Sequence, residues 1–519
     1  MRKMDRRGFV ASLAGAGVMI ASGAAVSQTP PPSNGATRFG FDDVVRRARD
    51  LATAPLAPSP AIPDALARLD NDAARDIKFR SERAFLAGAD SRFRLQTIHL
   101  DPRSSRPVTV SLIRDGIATP IPYSANLFDY GRAKFERPLP LNLGFAGFRL
   151  RYPINDPRGF DDAVVFTGSS QFRFLGRGQR AGASLRALSV NAGLETEEFP
   201  FFREFWIEAP EANARHATIY ALLDGESVTG AFQFQIEPGV DSVLTVGATL
   251  FPRRVGGVFG FAPVVSMYLA GEGDRRLGGD YRPEAHSSDA LALHTGAGER
   301  VWRPLRNPAR AARFSFLDNN PRGFGLVQRD RSFDHYQDLE AGYEARASYW
   351  VEPTGEWGEG RIDLIETPAT EAGANNITAA WVSNAAREPG KPINIAWRVT
   401  SCLDADRAMP LGRVANTFQS SIGAPSENAT TTAGTRRFLI DFSGGDLGYF
   451  AGDTGALEVI ATANNGRVLS ASVASNPHIS GFRTTVDVEA SPGQTADIRV
   501  YLKAGVKTLT ETWTMPWTG

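Results

Sequence analysis

The 519-residue chain has one cysteine, Cys402, so no disulfide can close within it and its stability has to come from packed apolar surface. Cys402 itself reads as a small apolar filler. The six histidines (His99, His216, His286, His294, His335 and His478) show no paired ligand spacing, which argues against a zinc site, and no cofactor motif stands out. Gly323-Phe324-Gly325 has neither the lysine nor the following helix of a phosphate loop. Lysine plus arginine and aspartate plus glutamate are equal at 57 each. That balance removes the bulk-charge argument for nucleic acid or an anionic membrane surface and favours an uncharged ligand. Past the N-terminal segment no run approaches the ~18 apolar residues a spanning helix needs, so no transmembrane anchor is expected after that segment is removed.

What is abundant points to strands. The chain carries 51 glycines, 33 prolines and 32 phenylalanines, a composition of short strands joined by tight turns. Arg6-Arg7-Gly8-Phe9-Val10 precedes an apolar, small-residue run over 11–26. We read residues 1–27 as an export signal, the paired arginines pointing to the twin-arginine route and the periplasm. Residues 28–37, rich in proline, serine and glycine, follow as a flexible lead-in. Phe41, Val44, Val45, Ala48 and Leu51 share one face of a helix with acids at its start, placed against a sheet.

From residue 93 to 399 alternating runs such as 92–100, 108–113, 217–223 and 230–236 predict half-buried strands. The expectation is an all-β protein, with a large antiparallel sandwich over 38–402 and a linker or long loop over 403–435. A smaller, immunoglobulin-like sandwich follows over 436–519, with Asn465-Gly466 as a two-residue hairpin turn inside it.

The stretch 281–381 is the chemically unusual one, crowding aromatic, basic and acidic residues together. It contains Tyr281-Arg282-Pro283-Glu284-Ala285-His286-Ser287-Ser288-Asp289, then Arg329, Tyr336-Gln337-Asp338-Leu339-Glu340, Trp350, Trp357, and Asn375-Asn376-Ile377 leading to Trp381. Rings stack on the apolar faces of pyranoses and charged groups bond the hydroxyls, so such a face suits a sugar chain. The candidate binding residues are Tyr281, Arg282, Glu284, His286, Arg329, Tyr336, Asp338, Trp350 and Trp357. About half of the tryptophans Trp302, Trp350, Trp357 and Trp381 are expected to line a groove, the rest to be core.

These segments, with Leu143-Gly144-Phe145-Ala146-Gly147-Phe148, Tyr152-Pro153-Ile154-Asn155, Glu198-Phe199-Pro200 and Phe205-Trp206-Ile207-Glu208 upstream, resemble the osmoregulated periplasmic glucan biosynthesis proteins, the MdoG/OpgG and OpgD family. The resemblance implies a galactose mutarotase-like large sandwich with a grooved face, a small C-terminal sandwich, a β-1,2-linked glucan as ligand, and the inner-membrane glucan synthase as a possible partner. It also implies an inverting hydrolase or transglycosylase in which two aspartates transfer protons from opposite faces of the sugar. At the family's base position this chain has Ser287, and at its acid position Asn375. An unactivated hydroxyl does not take a proton at neutral pH and an amide does not donate one as a carboxylic acid does. Two readings follow: a glucan binder without turnover, or an enzyme with relocated carboxylates. For the second, Asp289 is expected on the face of Ser287 two residues along an extended segment, with Asp338, Glu340 or Glu371 as the other group. A third reading, a scaffold for the synthase, predicts no glucan affinity.

Overall fold

The phenylalanines decide where the chain folds on itself. In the computed structural model, which describes residues 38–88, 91–274, 278–405, 409–422, 434–451 and 454–519, two large sheets meet face to face across them. The export signal and lead-in expected over 1–37 lie outside the described residues. Phe148 and Phe166 from a ten-stranded sheet meet Phe205 and Phe234 from a fifteen-stranded sheet, with ring centroids 5.1 Å and 4.9 Å apart. Each such ring removes roughly 150–250 Å² from water, which is what a chain without a disulfide needs. The ten-stranded sheet runs from the strand Arg94–Ile98 at one edge to Ala312–Asn319 at the other, and holds Phe259–Ser266, Ile377–Ser383 and Glu359–Glu366 side by side leading to that second edge. No helix among the described residues is long and apolar enough to cross a membrane.

The helix Phe41–Ala52 lies on the outer face of the larger sheet. Val44 and Ala48 are fully buried in a cluster with Trp206, Tyr220 and Phe251. Asp43 accepts from the Gly40 N–H at 2.7 Å at one end, and Arg253 donates to the Leu51 carbonyl at 2.7 Å at the other, so both ends have partners for their unpaired backbone groups.

The C-terminal third departs from the expected division. Within 403–435, where the sequence predicts a linker or long loop, Arg413–Ser420 is a strand, paired with Thr435–Ser443 in a four-stranded sheet. Its run of Asn, Thr, Gln and Ser hid a strand that has one face on a core and the other in solvent. Facing this sheet are Glu458–Asn464, Thr495–Ala504 and Thr512–Thr518, and the rings of Phe438 and Trp513 meet between the layers at 5.5 Å. These three strands form one end of the fifteen-stranded sheet, because Val301 and Trp302 pair in parallel with Thr512 and Trp513. Residues 39–519 consequently make one compact unit. Asn465-Gly466 does form a turn, with Asn465 at φ 58°, but it is not a ladder hairpin. The strand before it pairs with Thr495–Ala504 and the strand after it with Gly481–Glu489, so the turn carries the chain from one layer to the other.

One buried ion pair fastens the C-terminal strands to the loop after Gly323–Val327. Arg329 donates from Nη1 to Glu511 Oε1 at 2.6 Å and from Nη2 to Oε2 at 3.2 Å, while its guanidinium lies 3.5 Å from the Trp302 ring centre. The same Glu511 oxygen Oε1 takes the Val414 N–H at 2.6 Å, and Arg329 Nη1 also reaches the Val414 carbonyl at 2.7 Å. Removing one partner of a buried pair strands the other. Glu511→Ala is therefore expected to lower the unfolding free energy by about 3–5 kcal/mol in equilibrium denaturation. A loss under about 1 kcal/mol, the worth of an exposed pair, would show that the fastening is not used.

Candidate functional site

The site grows from a two-residue strand, Ala285–His286, whose backbone pairs with Tyr268–Ala270. Period-two alternation sends Glu284 and His286 to one side, where their side chains bond each other at 2.9 Å. Ala285 packs instead with Met267, Leu269, Tyr336 and Tyr343, and Ser287 reaches Arg346. The Ser287 N–H donates to the Met267 carbonyl at 2.8 Å. On the opposite edge of that strand Asn376 brackets Tyr268, accepting its N–H and donating to its carbonyl, both at 2.9 Å. Ser287 and Asn376, the residue after Asn375, thus bond the two edges of one segment, Met267-Tyr268. Ser287 is buried and Asn375 is exposed.

Around Ser287 the groups form a chain of cations and rings. Arg346 Nη1 donates to Ser287 Oγ at 2.5 Å and its guanidinium lies 3.9 Å from the Tyr343 ring centre. Burial holds the Arg346 pKa below its ordinary value, and its Nε is buried with no hydrogen-bond partner. Arg282 donates to the Tyr343 hydroxyl and to Asp338 Oδ2, both at 3.3 Å, and forks onto Asp280 at 2.6 and 3.0 Å. Those hydrogen bonds hold the Asp280 carboxyl down to a pKa of about 2. Asp338 is committed as well, since its Oδ1 takes the N–H groups of Glu340 and Ala341. Beside this bridge Tyr281 is 72% exposed and Leu339 83%.

On the other side lies a small cavity of about 50 Å³, lined by Glu272, Glu284, His286, Asp289 and Asp330 and closed by Trp302, Thr417 and Met515. The protonation of His286 follows from its neighbours. Gln328 Nε2 donates to the Tyr343 carbonyl at 3.1 Å and to the Tyr336 hydroxyl at 2.7 Å. A carbonyl only accepts, so the amide orientation is fixed and Gln328 Oε1 faces His286 Nδ1 at 2.9 Å, which must carry a proton. Nε2 faces the Glu284 carboxyl at 2.9 Å and also finds an acceptor when that group is ionised. Burial opposes the charged ring, but the Glu284 hydrogen bond and the Asp289 charge outweigh it, and the His286 pKa is raised.

Asp289 does not share a face with Ser287, as an extended segment would require. The strand ends at His286 and the chain bends at Ser287 and again at Asp289. This turns Asp289 into the cavity, where Oδ2 takes the N–H groups of Arg329 and Asp330 at 2.5 and 2.8 Å and Oδ1 lies 3.2 Å from His286 Nδ1. Burial raises its pKa against the opposing effect of the His286 charge.

Several sequence candidates are structural. Tyr336 is fully buried and acts through Gln328. Arg329 is taken up by Glu511. Trp357 and the fully buried Trp381 pack on each other at 5.9 Å, and Trp357 Nε1 donates to the Ala396 carbonyl at 3.1 Å. Trp350 is half-buried against the C-terminal core, and Trp302 forms a cavity wall. Of the residues offered as sugar platforms, only Tyr281 presents an exposed ring. Glu371 and Glu340 are exposed on turns. Sequence reasoning did not single out Arg346, Tyr343, Gln328, Glu272 or Asp330, because each comes from a loop or strand end with no spacing to mark it.

The family model for "Periplasmic glucan biosynthesis protein, MdoG" matches residues 39–517. A Ralstonia nicotianae protein named "Glucans biosynthesis protein G" is 38% identical, the match covering 92% of this chain and 96% of that relative. "Probable glucans biosynthesis protein D" of Shewanella oneidensis is 40% identical over 88% of this chain and 84% of its own length. "Glucans biosynthesis protein D" of Stenotrophomonas maltophilia is 38% identical over 99% and 98%.

The Gln328 assignment gives a measurable consequence. Gln328→Met keeps the volume but strips partners from His286 Nδ1–H, the Tyr343 carbonyl and the Tyr336 hydroxyl. Unfolding free energy should fall by about 2–4 kcal/mol, since each stranded buried group costs about 1–3 kcal/mol and His286 keeps Asp289 nearby. A change within about 0.5 kcal/mol would refute the network.

Proposed function

This chain belongs to the periplasmic glucan biosynthesis family, and on that premise we propose that it serves glucan biosynthesis by holding a β-1,2-linked glucan, without cleaving it, on the surface formed by Tyr281, Leu339 and the Arg282–Asp338 bridge. Export to the periplasm on the N-terminal segment and delivery of the chain by the inner-membrane synthase belong to the same reading. The observation that carries it is the Arg346 to Ser287 hydrogen bond. Where the inverting mechanism needs a carboxylate base, a guanidinium donates to a serine hydroxyl, and a donor cation there opposes proton uptake. Across the strand, the exposed Asn375 offers only an amide.

The carboxyl groups near Ser287 on this face, Asp280 and Asp338, are both bonded to Arg282. Asp289, the first choice for a relocated base, is turned into the cavity. The exposed ring of Tyr281 and the apolar side chain of Leu339, flanked by bonded charges, match the alternation of apolar faces and hydroxyl edges on an uncharged pyranose chain.

Calorimetry and product analysis with linear β-1,2-glucan test this together. Binding is expected with no shorter or cyclic products, and Tyr281→Ala is expected to weaken affinity about three- to tenfold, the worth of one stacked ring. The double variant Ser287→Asp, Asn375→Asp restores the residue types of an inverting pair and is expected to gain measurable turnover, each carboxyl being worth about 10²–10⁴ in rate. Products from the unaltered protein that vanish in Asp289→Asn would overturn the binder reading in favour of a relocated-carboxylate enzyme. Absence of any glucan affinity would leave the scaffold reading.

A further inference from the structure

The cavity behind the Glu284 strand gathers carboxyl groups that neither the glucan surface nor its chemistry uses. Glu272, Glu284, Asp289 and Asp330 all line it. Of the cationic side chains beside it, His286 is shared between Gln328 and Glu284, Arg306 donates to the Pro516 carbonyl, and His335 Nδ1 lies 2.6 Å from Asp330 Oδ2 at the rim. One oxygen each from Glu284 and Asp330 and one ring nitrogen of His335 lie within 4.8 Å of one another. Independently, Asp289 Oδ1 is buried in the same cavity with no hydrogen-bond partner, because the nearest proton, on His286 Nδ1, goes to Gln328. A cavity that gathers this many carboxyl oxygens, one of them unsatisfied, holds more acceptors than donors.

We propose that Glu284, Asp330 and His335 bind one divalent transition-metal ion, zinc by donor type, with Asp289 as the acceptor facing the ion's remaining position. Two carboxylates and an imidazole suit zinc better than the all-oxygen shells of calcium or magnesium. Tetrahedral donors at about 2.0–2.2 Å from zinc stand about 3.3–3.6 Å apart, so the three atoms rearrange to reach bonding distance, and His335 has room to move because its side chain is 51% exposed. The same exposure gives the ion a way in. Outer contacts already orient the ligands: His286 Nε2 holds Glu284 Oε2 at 2.9 Å, and the Ser332 N–H holds Asp330 Oδ1 at 3.0 Å. The absence of paired histidine spacing in the sequence does not bear on such a site, since its ligands come from a strand end, a loop and the short helix Phe333–Tyr336. Bound metal would pin that helix against the Glu284 strand and close the open side of the cavity.

The test uses the full chain, stripped with a chelator, then titrated with zinc chloride by calorimetry and followed by thermal denaturation. One zinc per chain and a melting temperature that rises with zinc are expected. His335→Ala, an exposed position whose loss leaves the core intact, should weaken binding at least about tenfold and abolish the thermal shift, with Asp330→Asn behaving alike. His478→Ala, exposed and remote in sequence, should change neither. No zinc binding at micromolar concentration, equal binding by His335→Ala and the unaltered chain, or an equal loss in His478→Ala would each overturn the site. These outcomes are independent of glucan binding, so either proposal can fail alone.

Discussion

An imidazole compelled to donate from Nδ1, with a buried carboxyl at its other nitrogen, is the constraint around which the site is arranged. His286 gives its Nδ1 proton to Gln328 because the Gln328 amide is itself committed to the Tyr343 carbonyl, and its Nε2 bonds Glu284. That single ring ties the Glu284 strand to the Gly323–Val327 strand through Gln328 and to the segment carrying Tyr336 and Tyr343. Buried polar networks of this kind fix one arrangement because every alternative strands a donor or an acceptor. The loops on both sides inherit their positions from it.

The same strand separates two compartments with different electrostatics. On the Ser287 side cations dominate, with Arg346 and Arg282 set against Tyr343 and two bonded aspartates. On the His286 side carboxyl groups dominate and surround a cavity. Ser287, on the cationic side, brings a hydroxyl and no carboxylate to Arg346. The carboxyl groups near Ser287 are bonded to Arg282, whereas those of the second compartment face a small cavity.

Packing explains why aromatic density in this stretch does not mark an exposed ring face. Trp357, Trp381, Tyr336 and Tyr343 are buried, and they fill space between a loop-rich face and two sheets that lack any disulfide to hold them. Arg329 shows the same principle in a charged residue: it reads as a ligand-binding cation and instead joins the C-terminal strands to the loop after Gly323–Val327. Through the parallel pairing of Val301 and Trp302 with Thr512 and Trp513, the smaller sandwich shares a sheet with the larger one, which leaves little freedom between them.

What the sequence determined by itself is what local periodicity and composition encode. The all-β class, the helix Phe41–Ala52 against a sheet, the strands over 93–399 and the family itself were legible, because alternation and ordered motifs survive without knowledge of neighbours. The strand Arg413–Ser420 was not, because a polar strand with one face on a core has a weak pattern. Tertiary structure alone decided that Asp289 turns away from Ser287, since the bends at Ser287 and Asp289 break the alternation on which a shared face depends. It alone brought Arg346 to Ser287 and Asp330 and His335 to Glu284. Those meetings arise where separate strand ends and loops converge, and chain separation carries no signal for which side chains converge there.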